Sequence, residues 1–255
     1  MRWWIGILAG GLALVIAGVV WRVGSGEPQA QPSTPASVSP PVKPSPSVSP
    51  SPVLQKPGDL PASGPETFVY GSISGPVLGN SGVVKRFRVA VESNLASELT
   101  EFGATLEQVL GDPRSWTASG QHRFQRVAEG EPYDFTAYLV TRDTAYKMCK
   151  VNGVDIRQNG VPYTSCRQWK KVIINLDRWR LSVPDYVNGG TPLQTYREYV
   201  INHETGHELG RGHEQCLGPG KPAPVMQTQT LGLKGCTAYP WPYLDGKRYE
   251  GRWIR

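Results

Sequence analysis

An α+β domain is predicted for residues 66–255, and three features of the chain predict it. Short β-branched runs between residues 83 and 176 alternate with the period of strands, and two longer stretches repeat their apolar residues at helical spacing. Beyond Gly210 the chain is crowded with glycine and proline and keeps neither period, so loops and turns are expected there. A stretch of this length suits one compact domain.

The elements follow in order. Trp3 to Trp21 is one apolar run between Arg2 and Arg22, and about 20 such residues span a hydrocarbon core as a helix. It ends in Val19-Val20-Trp21-Arg22 without the small-x-small site of a cleaved leader. Residues 1–23 are therefore expected to be an N-terminal membrane anchor, with a cleaved signal peptide as the alternative. Residues 24–65 are dominated by proline, serine, valine and alanine and have no means of forming a core. A disordered, extended linker is expected there. Val83 to Val91 alternates as a strand, and Leu99, Phe102, Leu106, Val109 and Leu110 give a helix stopped by Gly111-Asp112-Pro113. Arg123–Val127, Asp134–Thr141 and Val172–Leu176 read as further strands. A last helix is expected from Thr191 as N-cap, with Pro192 in the first turn and Gln194 as capping partner. Its stripe of Leu193, Tyr196, Val200, His203 and His207 faces the core, and Gly210 ends it.

The end of that stripe carries chemistry. His203-Glu204-Thr205-Gly206-His207-Glu208-Leu209-Gly210-Arg211-Gly212-His213 reads H-E-x-x-H-x-x-G-x-x-H. His203 and His207, four apart, project from one helix face and can grip one ion. Glu204 directly follows the first ligand, which sets its carboxylate beside the metal as a general base. Gly210 supplies the left-handed turn that returns His213 as third ligand. Three protein ligands leave the fourth tetrahedral position open, the arrangement of one catalytic Zn2+ ion. His122, the fourth histidine of the chain, has no ligand spacing and reads as a surface or loop residue.

This segment resembles that of the metzincin clan of zinc peptidases, whose further hallmark is a methionine turn downstream of the third histidine. Pro222-Ala223-Pro224-Val225-Met226-Gln227 matches, with Met226 as the apolar floor of the site. The resemblance implies a metzincin-like zincin domain: a twisted mixed sheet with two long helices plus a loop-rich C-terminal subdomain. It also implies a peptide or protein substrate laid along an edge strand above the zinc, for which Tyr133–Arg142 is the candidate. Glu214 follows the third histidine as in the astacin branch. The tyrosine that astacins place two residues after the methionine is Thr228 here, which leaves Tyr239 and Tyr243 as substitute donors. The stretch from Leu176 to Pro242 also resembles actinobacterial cell-envelope proteins that carry a metzincin-like domain.

Cys149, Cys166, Cys216 and Cys236 form an even set in a chain with an export signal, so two disulfides are expected. Of three pairings, the nearest-neighbour one, Cys149 with Cys166 and Cys216 with Cys236, clamps the loop between the third ligand and the methionine turn. A zinc site of cysteines is disfavoured because no C-x-x-C spacing occurs. The net charge of +6 suits anionic lipid heads or acidic cell-wall polymers, while scattered basic residues without a recognition motif argue against nucleic acid. Together these features lead to the expectation of a zinc metallopeptidase on the cell membrane, single-pass with an extracellular catalytic domain, or secreted if the leader is cleaved. The alternatives are a peptidoglycan peptidase or amidase, with Tyr239, Trp241, Tyr243, Tyr249 and Trp253 as core or groove aromatics, and a non-catalytic zinc-stabilised binding module.

Overall fold

The computed structural model describes residues 51–254. The anchor and most of the spacer expected from the sequence lie outside the described residues. In chain order come β1 (Phe68–Tyr70), β2 (Val77–Leu78), β3 (Val83–Glu92), α1 (Leu99–Gly111), β4 (His122–Arg126), β5 (Phe135–Val140) and α2 (Arg142–Lys150). A small hairpin, β6 (Arg157–Gln158) with β7 (Val161–Pro162), precedes β8 (Cys166–Gln168), β9 (Lys171–Asn175), α3 (Leu176–Leu181) and α4 (Pro184–Asn188). The long α5 (Leu193–Glu208) and a last hairpin, β10 (Tyr243–Leu244) with β11 (Lys247–Arg248), complete the α+β fold.

The main sheet has the order β2-β4-β3-β5-β9-β8, with β1 also paired to β3. Its centre is parallel: β4 and β5 flank β3, and β9 lies beyond β5. The β3-to-β4 connection carries α1 and the β5-to-β9 connection carries α2, the long crossovers that parallel strands need. β8 turns back antiparallel onto β9 through Trp169 and Lys170, the latter at φ +57°, which makes the sheet mixed.

Period-2 alternation sorts the core onto two faces. Phe87, Val89 and Val91 of β3, Phe135, Ala137 and Leu139 of β5, and Val172 and Ile174 of β9 belong to the main core with residues of α1, α3 and α5. Ala90, Tyr138, Val140 and Ile173 point the other way and pack with Ala145 and Cys149 of α2. β5 therefore lies inside the sheet with all its residues buried. This corrects the expected edge segment Tyr133–Arg142: the edge beside α5 is β8.

α1 is the expected helix, with Phe102, Leu106, Val109 and Leu110 fully buried, and Phe102 meets Trp179 edge-on at 5.2 Å between ring centres. α5 buries Leu193, Tyr196 and Val200 as its stripe requires, and Tyr199 and Ile201 beside them, so its buried surface is wider than the stripe. Its start differs from expectation. The helix begins at Leu193, Pro192 occupies the cap position, and no side chain caps the end. Gln194 bonds Glu198 at 3.4 Å instead of reaching back, and the Leu193 N–H donates to Val53 O at 2.8 Å.

That last bond belongs to a strap. Residues expected as spacer up to 65 are bound to the domain from Val53 onward: the Lys56 N–H donates to Arg180 O at 2.7 Å and Ala62 O accepts from the Asp143 N–H at 3.0 Å. Lys56 Nζ lies 2.5 Å from Glu101, whose other oxygen takes Arg197 at 2.7 Å. Both disulfides pair nearest neighbours: Cys149–Cys166 ties α2 to β8, and Cys216–Cys236 closes the loop beyond α5. Among the described residues no helix is long and apolar enough to cross a membrane.

Candidate metal centre

The last turns of α5 present His203 and His207 on one face. His203 Nδ1 lies 2.8 Å from Val225 O, and His207 Nδ1 lies 2.8 Å from Arg211 O. A carbonyl only accepts, so each Nδ1 carries the ring proton and each Nε2 keeps a lone pair. Gly210, at φ +81°, turns the chain after the helix, and His213 returns to the same point. His207 Nε2 stands 3.2 Å from His203 Nε2 and 3.1 Å from His213 Nε2. With its proton on Nδ1, His207 has no hydrogen to share with His203, and facing lone pairs at this distance repel unless a cation draws them together. Bonds of ~2.0–2.1 Å to one tetrahedral zinc put nitrogens about 3.3 Å apart, so the three ligand atoms, all within 4.8 Å of one another, fit such an ion.

Glu204 supports the same conclusion. Its carboxylate is buried, and Oε2 finds no hydrogen-bond partner. Burial alone pushes its acid up to about 8, and a cation beside it would restore the carboxylate. Burial also depresses the imidazoles: His203 falls well below the ordinary range, His207 to about 4, and His213 in the same direction. All three are thus neutral at pH 7, the form that binds metal.

The turn expected to form the floor lies in the loop half. Val225 and Met226 are fully buried, and Gln227 N–H closes a turn on Pro224 O at 2.9 Å. Met226 packs against α5 at Gly206, where a Cβ would also come within 2.7 Å of Trp116. Gly206 is therefore a close-approach position that the motif's spacing does not specify. The Glu214 N–H donates to Met226 O at 3.0 Å, and the Ile254 N–H donates to His213 O at 2.9 Å. His213 is thereby held between the turn and the C-terminal segment. Beside it, the buried Glu214 carboxylate accepts from Arg248 at 2.5 Å and from the Gly251 N–H at 3.1 Å.

A cleft of about 410 Å³ opens over the triad. It is lined by Ser165, Cys166 and Arg167 at β8, by Thr228, Thr230 and Leu231 of the segment after the methionine turn, and by Tyr199 of α5. The Tyr199 hydroxyl donates to Gln227 O at 3.1 Å, so this residue serves both core and cleft. Neither expected tyrosine donor lines the cleft: the Tyr239 hydroxyl donates to Tyr243 O at 2.7 Å. Of the other tail aromatics, Trp241 is buried and Trp253 is half exposed. His122 opens strand β4 half-buried, away from the triad's cleft. Sequence reasoning missed Arg167, whose Nε donates to Glu208 at 2.7 Å, because its partner lies on another element.

Fold and site thus define a mixed α+β domain with a cluster of three histidines that could hold a metal ion, at the end of the longest helix among the described residues. Residues 54–243 match the family described as "Protein of unknown function (DUF3152)", and the chain belongs to that family. No curated protein and no solved structure matches it.

Proposed function

We propose that this chain is an exported, membrane-tethered zinc endopeptidase of metzincin type, with residues 1–23 as its anchor. The observation that carries the reading is the convergence of three Nε2 atoms, His207 at 3.2 and 3.1 Å from its neighbours, beside an unpartnered Glu204 oxygen. A zinc ion there supplies Lewis-acid polarisation of a scissile carbonyl and lowers the pKa of water. The residues do the rest. Glu204 takes a proton from the attacking water and hands it to the leaving amine. Val225 O and Arg211 O hold the proton on the Nδ1 of His203 and His207 and so keep each Nε2 directed at the ion. β8, unpaired on its outer side among the described residues, offers backbone groups to an extended peptide, which would add itself to the sheet. Met226 and Tyr199 exclude water from below.

The test is zinc-dependent cleavage of a diverse peptide mixture by the full chain, read by mass spectrometry, beside its Glu204→Ala variant and a chelated sample. The expected result is cleavage by wild type alone, with Glu204→Ala retaining zinc but losing at least about 10²–10⁴-fold in rate. Undiminished cleavage by the variant would remove Glu204 as the base.

A further inference from the structure

We propose that Arg167 selects an acidic side chain in the bound peptide, making this a site for acidic peptide segments. The inference rests on the peptidase reading only in taking an extended peptide along β8 as the occupant.

The geometry begins with alternation. Cys166 is bonded to Cys149 of α2, and Gln168 donates to Cys149 O at 2.7 Å, so both flanking side chains of β8 point to the α2 face. Arg167 is left pointing to the other face, where α5 and the triad lie, and it lines the cleft with His203, Glu204 and His207. Glu208, one residue beyond the second histidine, takes the Arg167 Nε at 2.7 Å. The Glu208 side chain is 14% exposed while that of Arg167 is 32% exposed. The carboxylate thus fixes the guanidinium through Nε and leaves its terminal N–H groups without a partner among the described residues, on a side chain that lines the cleft. Guanidinium N–H pairs match a carboxylate in bidentate fashion. On one face of an antiparallel pair, directly opposed side chains of opposite charge stabilise the pairing and like charges oppose it. A peptide strand added to β8 places one side chain opposite Arg167 on the α5 face, and glutamate or aspartate there meets the fixed guanidinium. Asp155 also lines the cleft, and it is held by Arg157 at 2.7 Å. It does not compete for Arg167.

The test measures binding separately from turnover. The zinc-loaded full chain carrying Glu204→Ala is titrated with two peptides that differ only by Glu or Gln at one position, scanned along the peptide. At one register the Glu peptide is expected to bind about tenfold or more tightly. Arg167→Gln should bring that ratio to near one, and Arg167→Lys should keep part of it. Equal binding at every register, a preference that survives Arg167→Gln, or no binding of either peptide would each overturn the proposal. Cleavage of peptides without acidic preference would sink this inference and leave the peptidase reading intact. Selective binding with no hydrolysis by the wild type would do the reverse.

Discussion

The sheet half of the domain, through the end of α5, and the loop half, residues 209–254, meet at the three-histidine cluster but are held in different proportions by regular pairing and by single contacts. In the sheet half backbone groups are satisfied in ladders and helices, and side chains pack in two apolar clusters on either face of the sheet. In the loop half regular pairing is confined to a two-residue hairpin and two isolated bridges, one joining Glu214 to Trp253. What holds it is a disulfide, a buried ion pair, single backbone bonds such as Ile254 N–H to His213 O at 2.9 Å, and a few side chains, Val225, Met226 and Trp241, that it sends into the main core. On the proposed reading the sheet half supplies two ligands, His203 and His207, and the base Glu204, and the loop half supplies the third ligand, His213, and the floor. Metal geometry therefore depends on the seam between them. A perturbation of the loop half should alter metal affinity more than one of equal global cost in the sheet half.

The sharpest test of that contrast is Glu214→Ala. The carboxylate is 1% exposed and binds both Arg248 and the Gly251 N–H, so its removal leaves a half-buried guanidinium without its partner. Breaking such a pair costs about 3–5 kcal/mol, and here the loss should come with weaker zinc binding. Denaturant unfolding and competition with a zinc indicator check both parts; unchanged zinc affinity in a destabilised variant would break the comparison. The disulfides give a smaller and better matched pair. Cys216–Cys236 spans 20 positions and Cys149–Cys166 spans 17, so replacing either with two alanines should cost about 3 kcal/mol. Only loss of the Cys216–Cys236 bridge is expected to weaken zinc binding, because Cys149–Cys166 joins α2 to β8 and touches no ligand-bearing loop. An equal fall in zinc affinity for both would show that the two halves do not act separately.

The same contrast explains what was readable in the chain. The candidate ligands His203, His207 and His213, the candidate base Glu204 and the terminating Gly210 lie within one turn-spaced segment, so local periodicity points to them. The stripe of α1 and the β-branched runs of β3 and β9 are local in the same sense. Partners that join distant segments are not. Arg167 meets Glu208 across 41 positions, and Arg248 meets Glu214 across 34; each is an ordinary charged residue until the fold brings them together. The edge strand is not legible for a related reason. Phe135, Ala137 and Leu139 alternate as a one-sided strand would, yet Tyr138 and Val140 also pack, against α2, and two-sided burial marks an interior strand.

The start of α5 shows a local signal overruled by a distant one, and it supplies the mildest test. Thr191-Pro192-Leu193-Gln194 has the residues of a capped start, for which loss of the cap hydroxyl costs about 1 kcal/mol. In the fold the Thr191 N–H donates to Tyr186 O at 2.8 Å, Pro192 takes the cap position, and no side chain satisfies the first turn. The strap does part of that work instead, since Val53 O takes the Leu193 N–H. Thr191→Ala should therefore change stability by no more than about 0.5 kcal/mol, measured by denaturant unfolding. A loss of a full cap's worth would mean that the threonine hydroxyl reaches the helix in solution and that the strap is not what holds this end. A negligible loss would place the support of the helix's first turn in backbone contacts from residues ahead of the sheet, a link that no reading of residues 191–194 alone contains.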